Sequence, residues 1–179
     1  RRTEGAARFV ARPAVEHRVP EALNLALPSP CGQRCTFCSL DTEVGAGPDP
    51  ELVKRLTKSL REAAAQGTTT VRLNGIEPLT APYLFELLDV VRDAGFERCS
   101  LLSTCRPLAN EDFCRRYIEA MPPNYDISIP IYGATAESHD RIVGAKGSFA
   151  ELEAAAKNLK RHRRRGGVYQ FTTVVIRAN

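Results

Sequence analysis

Pro30-Cys31-Gly32-Gln33-Arg34-Cys35-Thr36-Phe37-Cys38 is the stretch around which the chain is organised. Its cysteines follow one another at spacings of four and then three residues, which lets a short irregular loop turn three thiolates inward onto one point. That suits a metal centre and does not suit a disulfide. A structural zinc takes four protein ligands, whereas a cube of four irons held by three thiolates leaves one iron open to a further ligand. Cys99, Cys105 and Cys114 are scattered without ligand spacing, and Cys99 and Cys114 read as buried or incidental thiols.

Outward from this loop the chain alternates. The apolar run Leu23 to Leu27 leads into the cysteines and reads as a first strand. Asp49-Pro50 supplies an N-cap and a proline at the first helical position, Leu52, Val53, Leu56 and Leu60 recur at helical spacing, and Gly67 ends the helix. Thr70 to Leu73 is a second strand, Leu84, Leu87, Leu88 and Val91 mark a second helix ended by Gly95, and Cys99 to Ser103 is a third strand. Asn110 caps a third helix through Tyr117, which Met121-Pro122-Pro123 breaks. Ile127, Ile129 and Ile131 alternate with Ser128, Pro130 and Tyr132, so the fourth strand presents its isoleucines to one layer and the others to the opposite face. Ser148 and Glu151 form a capping box for a fourth helix bearing Leu152, Ala155, Ala156 and Leu159, Gly166-Gly167 ends it, and Val168 to Ile176 is a fifth strand.

Five strands separated by four helical segments imply parallel pairing with right-handed crossovers, an α/β sheet or barrel. Chemistry in such folds collects at the carboxyl ends of the strands, and the cysteine loop follows the first strand. With 179 residues, 43% hydrophobic and 26% charged, the chain is long enough for a sizeable core and has the composition of an ordinary globular domain. The net charge of +4 has an address in Lys157, Lys160, Arg161, Arg163, Arg164 and Arg165. That run sits at a helix end, where cations favour the dipole, and reads as a solvated helix end before a nucleic-acid patch. Arg1 to Pro20 carry charge throughout and hold no long apolar stretch, which predicts neither a secretory signal nor a membrane span and places the protein in the cytosol.

The three-cysteine run, with the aromatic Phe37 before its last cysteine, resembles the CxxxCxxC signature of radical S-adenosylmethionine (SAM) enzymes. After the second strand, Asn74-Gly75-Ile76-Glu77-Pro78-Leu79 resembles that family's GGEP motif, with Ile76 where the second glycine usually stands. Ser103-Thr104-Cys105-Arg106 is similar to a TNG-like strand ending, with Cys105 and Arg106 in place of the asparagine and glycine. Ile131 to Gly144, followed by Gly147-Ser148-Phe149, resembles the fourth-strand region of members that carry a cysteine-rich (SPASM-like) domain after the barrel. Pro130 stands where relatives commonly show serine, which leaves Ser128 or Tyr132 for the ribose. His139-Asp140 reads as a structural turn in the connection to the next helix.

The resemblance implies a partial (β/α)6 TIM-like barrel with its core at residues 22–179, an extension at 1–21, and a sixth strand beyond the β-branched run Val174-Val175-Ile176. It implies a [4Fe-4S] cluster on Cys31, Cys35 and Cys38 whose fourth iron is chelated by the amino and carboxylate groups of SAM. An electron from the reduced cluster, delivered by a donor such as flavodoxin or ferredoxin, breaks the bond from sulfur to C5′, and the 5′-deoxyadenosyl radical takes hydrogen from a substrate. By the same resemblance the backbone near Phe37 lies at the adenine. Gly75 allows close backbone approach, and Glu77 receives the methionine ammonium. Arg177 is a candidate for the methionine carboxylate and Asn179 for the ribose or that carboxylate. A peptide is the first choice of substrate and a small molecule the alternative. The rival reading is a zinc-stabilised nucleic-acid-binding module, which iron with labile sulfide would exclude.

Overall fold

Short apolar stretches that alternate with polar residues become strands here, and the longer stretches with helical spacing become the connections between them. The computed structural model describes residues 21–40 and 49–177. Its elements are β1 (Ala22–Leu27), α1 (Pro50–Ala65), β2 (Thr70–Gly75), α2 (Leu84–Asp93), β3 (Arg98–Leu102), α3 (Glu111–Ala120), β4 (Asn124–Pro130), α4 (Ala136–Val143), α5 (Ser148–Arg161) and β5 (Gly167–Thr172). Short 3-10 turns, Pro78–Thr80 and Arg106–Ala109, follow β2 and β3.

The sheet runs β1-β2-β3-β4-β5 in sequence order with every pair parallel. Right-handed crossovers that always step the same way place all the helices on one face, so the sheet is the wall of a partial TIM-like barrel. Leu25 and Leu27, Val71 and Leu73, Cys99 and Leu101, and Ile127 and Ile129 point to that face and are buried in a single core against the helices. The alternate residues form a polar inner face. There Asp126 accepts from Arg98 Nη1 at 2.9 Å and Ser100 Oγ at 2.9 Å, and Ser128 Oγ accepts from Gln170 Nε2 at 3.0 Å.

The helix starts follow local chemistry. Asp49 accepts from the Glu51 N–H and Pro50 opens α1, while Asn110 accepts from the Phe113 N–H. Arg161 pairs with Glu111 at the start of α3, and at its other end Arg164 donates to the carbonyls of Glu119, Met121 and Pro122. Part of the basic run is therefore committed to holding α5 against α3.

Several elements differ from the sequence reading. Five α-helices occupy the described residues rather than four, because the stretch read as a turn around His139-Asp140 is α4, with Thr135 as N-cap and Ser138 completing a capping box. Ser148 and Glu151 do not cap α5. Gly147 is its N-cap, and Asp140 reaches from α4 to accept from the Gly147 and Phe149 N–H groups. Helix α3 runs on to Ala120, and β3 lies one residue earlier than predicted. Strand β5 stops at Thr172 rather than Ile176, because its partner β4 ends at Pro130 and the last rung is Ile131 N–H to the Thr172 carbonyl. Phe171 and Val175 are exposed, and Arg1 to Pro20 lie outside the described residues. No described helix is long and apolar enough to cross a membrane.

Candidate functional site at the carboxyl edge of the sheet

Leu27 ends β1, and its carbonyl accepts from the N–H groups of Ser29 and Ile76, so the ends of β1 and β2 are tied before the cysteine loop begins. Gly75 is paired with Leu27 at φ +112°, and a Cβ there would stand 2.6 Å from the Leu27 nitrogen and 2.7 Å from its oxygen. The glycine predicted to let backbone approach a ligand is thus already required by the approach of β1. Ile76 donates its N–H to the same Leu27 carbonyl.

From Pro30 onward the loop is held by residues distant in sequence. Thr80 Oγ1 donates to the Pro30 carbonyl at 2.8 Å, Arg106 Nη1 to the Gly32 carbonyl at 3.1 Å, and Gln33 Nε2 to Ser148 Oγ at 2.7 Å in a buried position. The Arg34 and Thr36 N–H groups donate to the carbonyls of Val143 and Ile142, the last residues of α4. Gly144 closes that helix at φ +62°, where a Cβ would lie 2.7 Å from the Arg34 carbonyl. An irregular loop with little internal bonding is thereby fixed by the 3-10 turns after β2 and β3 and by the adjoining ends of α4 and α5. A turn from the Cys38 N–H to the Cys35 carbonyl completes it.

Cys31 and Cys35 are half-buried and Cys38 is exposed, all three as free thiols. Burial pushes the Cys35 thiol up to about 11, and the charges of Cys31 and Cys38 push the same way. Cys31 is also raised, first by burial, with Glu77 and Cys38 adding to the rise while a backbone hydrogen bond at Gln33 and the Arg106 guanidinium oppose it. Among the described residues no three His, Cys, Asp or Glu side chains surround a point that one metal ion could occupy. Phe37 packs its ring edge against Tyr132, with centroids 4.9 Å apart. Tyr132 stacks on His139, which meets Phe149, and the Tyr132 N–H donates to His139 Nδ1 at 3.2 Å. Burial lowers the pKa of His139, and its ring serves as a buried acceptor.

Glu77 is completely buried. Its Oε1 accepts from Ser103 Oγ at 2.6 Å and the Leu79 N–H at 3.0 Å, and its Oε2 accepts from the Thr104 N–H at 2.8 Å. A carboxylate offers about four acceptor positions, so three are filled from within the protein. The side chain joins the ends of β2 and β3. Cys105 follows in the left-handed region at φ +61°, buried, with its Sγ 3.4 Å from the Ser128 carbonyl; burial raises its pKa, which leaves a protonated and unreactive thiol. Ser128 faces the inner side, its hydroxyl engaged by Gln170. Arg177 is an exposed turn residue beyond the end of β5, and Asn179 lies outside the described residues. The structure therefore gathers Cys31, Cys35, Cys38, Phe37, Gly75 and Glu77 at the carboxyl edge of the sheet. Sequence reading missed Thr80, Arg106, Gln33 with Ser148, and Gly144, which have no local motif because their partners lie far away along the chain.

The Radical SAM superfamily matches residues 29–179, beginning two residues before Cys31. The chain belongs to that superfamily. It is 29% identical over 161 residues to an AdoMet-dependent heme synthase of Methanosarcina barkeri, an alignment spanning 89% of this chain and 44% of that protein. It is 28% identical over 141 residues to the PqqA peptide cyclase of Ruegeria pomeroyi, covering 79% of this chain and 37% of that one. The chain thus spans less than half the length of these two relatives. Two solved structures share the fold: Streptococcus suis SuiB bound to precursor peptide SuiA, with a TM-score of 0.64 and 15% identity over 85% of this chain and 32% of that one, and anSMEcpe with bound AdoMet and Cp18Cys peptide, with a TM-score of 0.63 and 19% identity over 84% and 42%.

Proposed function

We propose that the chain is the catalytic core of a radical SAM enzyme that modifies a peptide. The observation that carries this reading is the set of three free thiols on a loop fixed from two neighbouring strand ends and two helix ends, at the edge where a barrel of this kind does its chemistry. Three thiols on one loop leave a tetrahedral zinc one protein ligand short, whereas a four-iron cluster held by three thiolates keeps one iron open to a further ligand. When bound, a [4Fe-4S] cluster with SAM supplies the electron that splits the bond from sulfur to C5′ and yields the radical that removes hydrogen from substrate.

The chain's own residues bind and orient. Cys31, Cys35 and Cys38 would hold the cluster as thiolates, and binding would release the protons that burial favours on Cys31 and Cys35. Glu77 fixes the ends of β2 and β3 and has one acceptor position left for an ammonium group, and the Phe37 backbone and Ser128 would serve the adenine and the ribose. An external low-potential electron carrier, flavodoxin or ferredoxin in type, completes the set of partners. The peptide reading is supported by the likeness to a peptide cyclase, and the likeness to a heme synthase supports a small-molecule substrate as the second reading.

The experiment is SAM cleavage. Anaerobically reconstituted protein with dithionite should release 5′-deoxyadenosine from SAM, and Cys35→Ala should not. Protein carrying its full iron and sulfide that releases none would contradict the proposal.

A further inference from the structure

Arg106 joins the cysteine loop to α5. It stands first in the 3-10 turn after β3, and its Nη1 donates to the carbonyl of Gly32, the neighbour of Cys31. Its Nε donates to the carboxylate of Glu151 on α5. A Cβ on Gly32 would lie 3.5 Å from that Nη1, so the guanidinium rests against the loop backbone itself. The Arg106 side chain is only 24% exposed and its counter-ion Glu151 43%. A sheltered cation therefore sits beside the first cysteine with its charge partly balanced from the side nearer solvent.

We propose that Arg106 is a positioning residue for the three-cysteine loop and that the Arg106–Glu151 pair sets the local charge, and so the one-electron potential, of the iron–sulfur cluster carried by that loop. This rests on the proposed function of the loop. One-electron reduction by an external low-potential donor adds one negative charge to the cluster and moves no other group. A nearby positive charge stabilises the reduced form and raises the potential, and a negative charge does the reverse. Removing the guanidinium should lower the potential. Removing Glu151 alone, which leaves Arg106 uncompensated, should raise it. Lysine would keep the charge without the fork that reaches Gly32 and Glu151 together.

The test compares reconstituted wild type, Arg106→Gln, Arg106→Lys and Glu151→Gln by redox titration followed by electron paramagnetic resonance. At a fixed solution potential the ratio of reduced to oxidised cluster should fall about threefold or more in Arg106→Gln, rise by a similar factor in Glu151→Gln, and stay within about twofold of wild type in Arg106→Lys. A second arm uses iron-free protein. Hydrogen exchange at the Arg34 and Thr36 amides, which tie the loop to α4, should quicken in both Arg106 variants. Potentials that do not move, or that move in the same direction for Arg106→Gln and Glu151→Gln at full iron and sulfide, overturn the charge role. Unchanged exchange in both Arg106 variants overturns the positioning role. Wild-type protein that takes up no iron and sulfide defeats the reading of the loop, and the charge role with it.

Discussion

Glu77→Gln should destabilise the iron-free protein by about 2–4 kcal/mol. The side chain is completely buried and accepts three hydrogen bonds, from Ser103 Oγ, the Leu79 N–H and the Thr104 N–H. A hydrogen bond to a charged group contributes about 1.5–3 kcal/mol, and a buried donor left without a partner costs about 1–3 kcal/mol. Glutamine retains one carbonyl oxygen, which can go on serving Ser103 and Leu79 at reduced strength. Its amide nitrogen then faces the Thr104 N–H, so one bond is lost outright and two are weakened. Relief from burying a charge offsets part of this, which keeps the total near the lower end of the summed costs. Urea denaturation followed by circular dichroism should show a lower midpoint at constant slope. Ser103→Ala, which removes one donor and leaves the carboxylate two, should cost less, about 1 kcal/mol. A loss below about 0.5 kcal/mol for Glu77→Gln would refute the reasoning and return the residue to a role on the ligand side alone.

Gly75→Ala should cost about 2–5 kcal/mol, because the new methyl group meets the Leu27 backbone at 2.6 Å and φ +112° is open essentially to glycine; a denaturation midpoint within experimental error of wild type would contradict this. Gly144→Ala should cost less overall, about 1–2 kcal/mol, but should quicken exchange at the Arg34 amide selectively, and uniform exchange across the loop would count against the α4 tether. His139 has a folded-state pKa below its usual 6.5 because it is buried, so its contribution is complete above the unfolded value and is lost as pH falls through and below it. Unfolding free energy between about pH 7.5 and pH 5 should accordingly drop more steeply in wild type than in His139→Gln, and parallel slopes would show that the ring is not held neutral.

The parallel α/β architecture was legible because each strand and helix carries its own period. Leu25, Leu27, Val71 and Leu73 alternate, Leu84, Leu87, Leu88 and Val91 recur helically, and Asp49 and Asn110 cap as their side chains allow. The cysteine loop was legible from spacing alone, and its place at the strand ends from the order of elements. The start of α5 was misread because Asp140, seven residues before Gly147, supplies the acceptor that Ser148 seemed placed to give, while the Ser148 hydroxyl is taken by Gln33. Strand β5 was drawn too long because β-propensity in Val174 to Ile176 says nothing of whether β4 still runs alongside. The buried acceptor role of Glu77 was hidden for a related reason. Its three donors come from two segments, one of them more than twenty residues downstream, and a short motif carries no record of such partners.

Iron and acid-labile sulfide bound per chain after anaerobic reconstitution test the central claim most directly. The account predicts about four of each in wild type, near-complete loss in Cys31→Ala, Cys35→Ala and Cys38→Ala, and retention in Cys99→Ala and Cys114→Ala, whose thiols are buried in the core. Stoichiometric zinc without sulfide in the wild-type protein, or iron and sulfide retained when any one of the three loop cysteines is replaced, would contradict it.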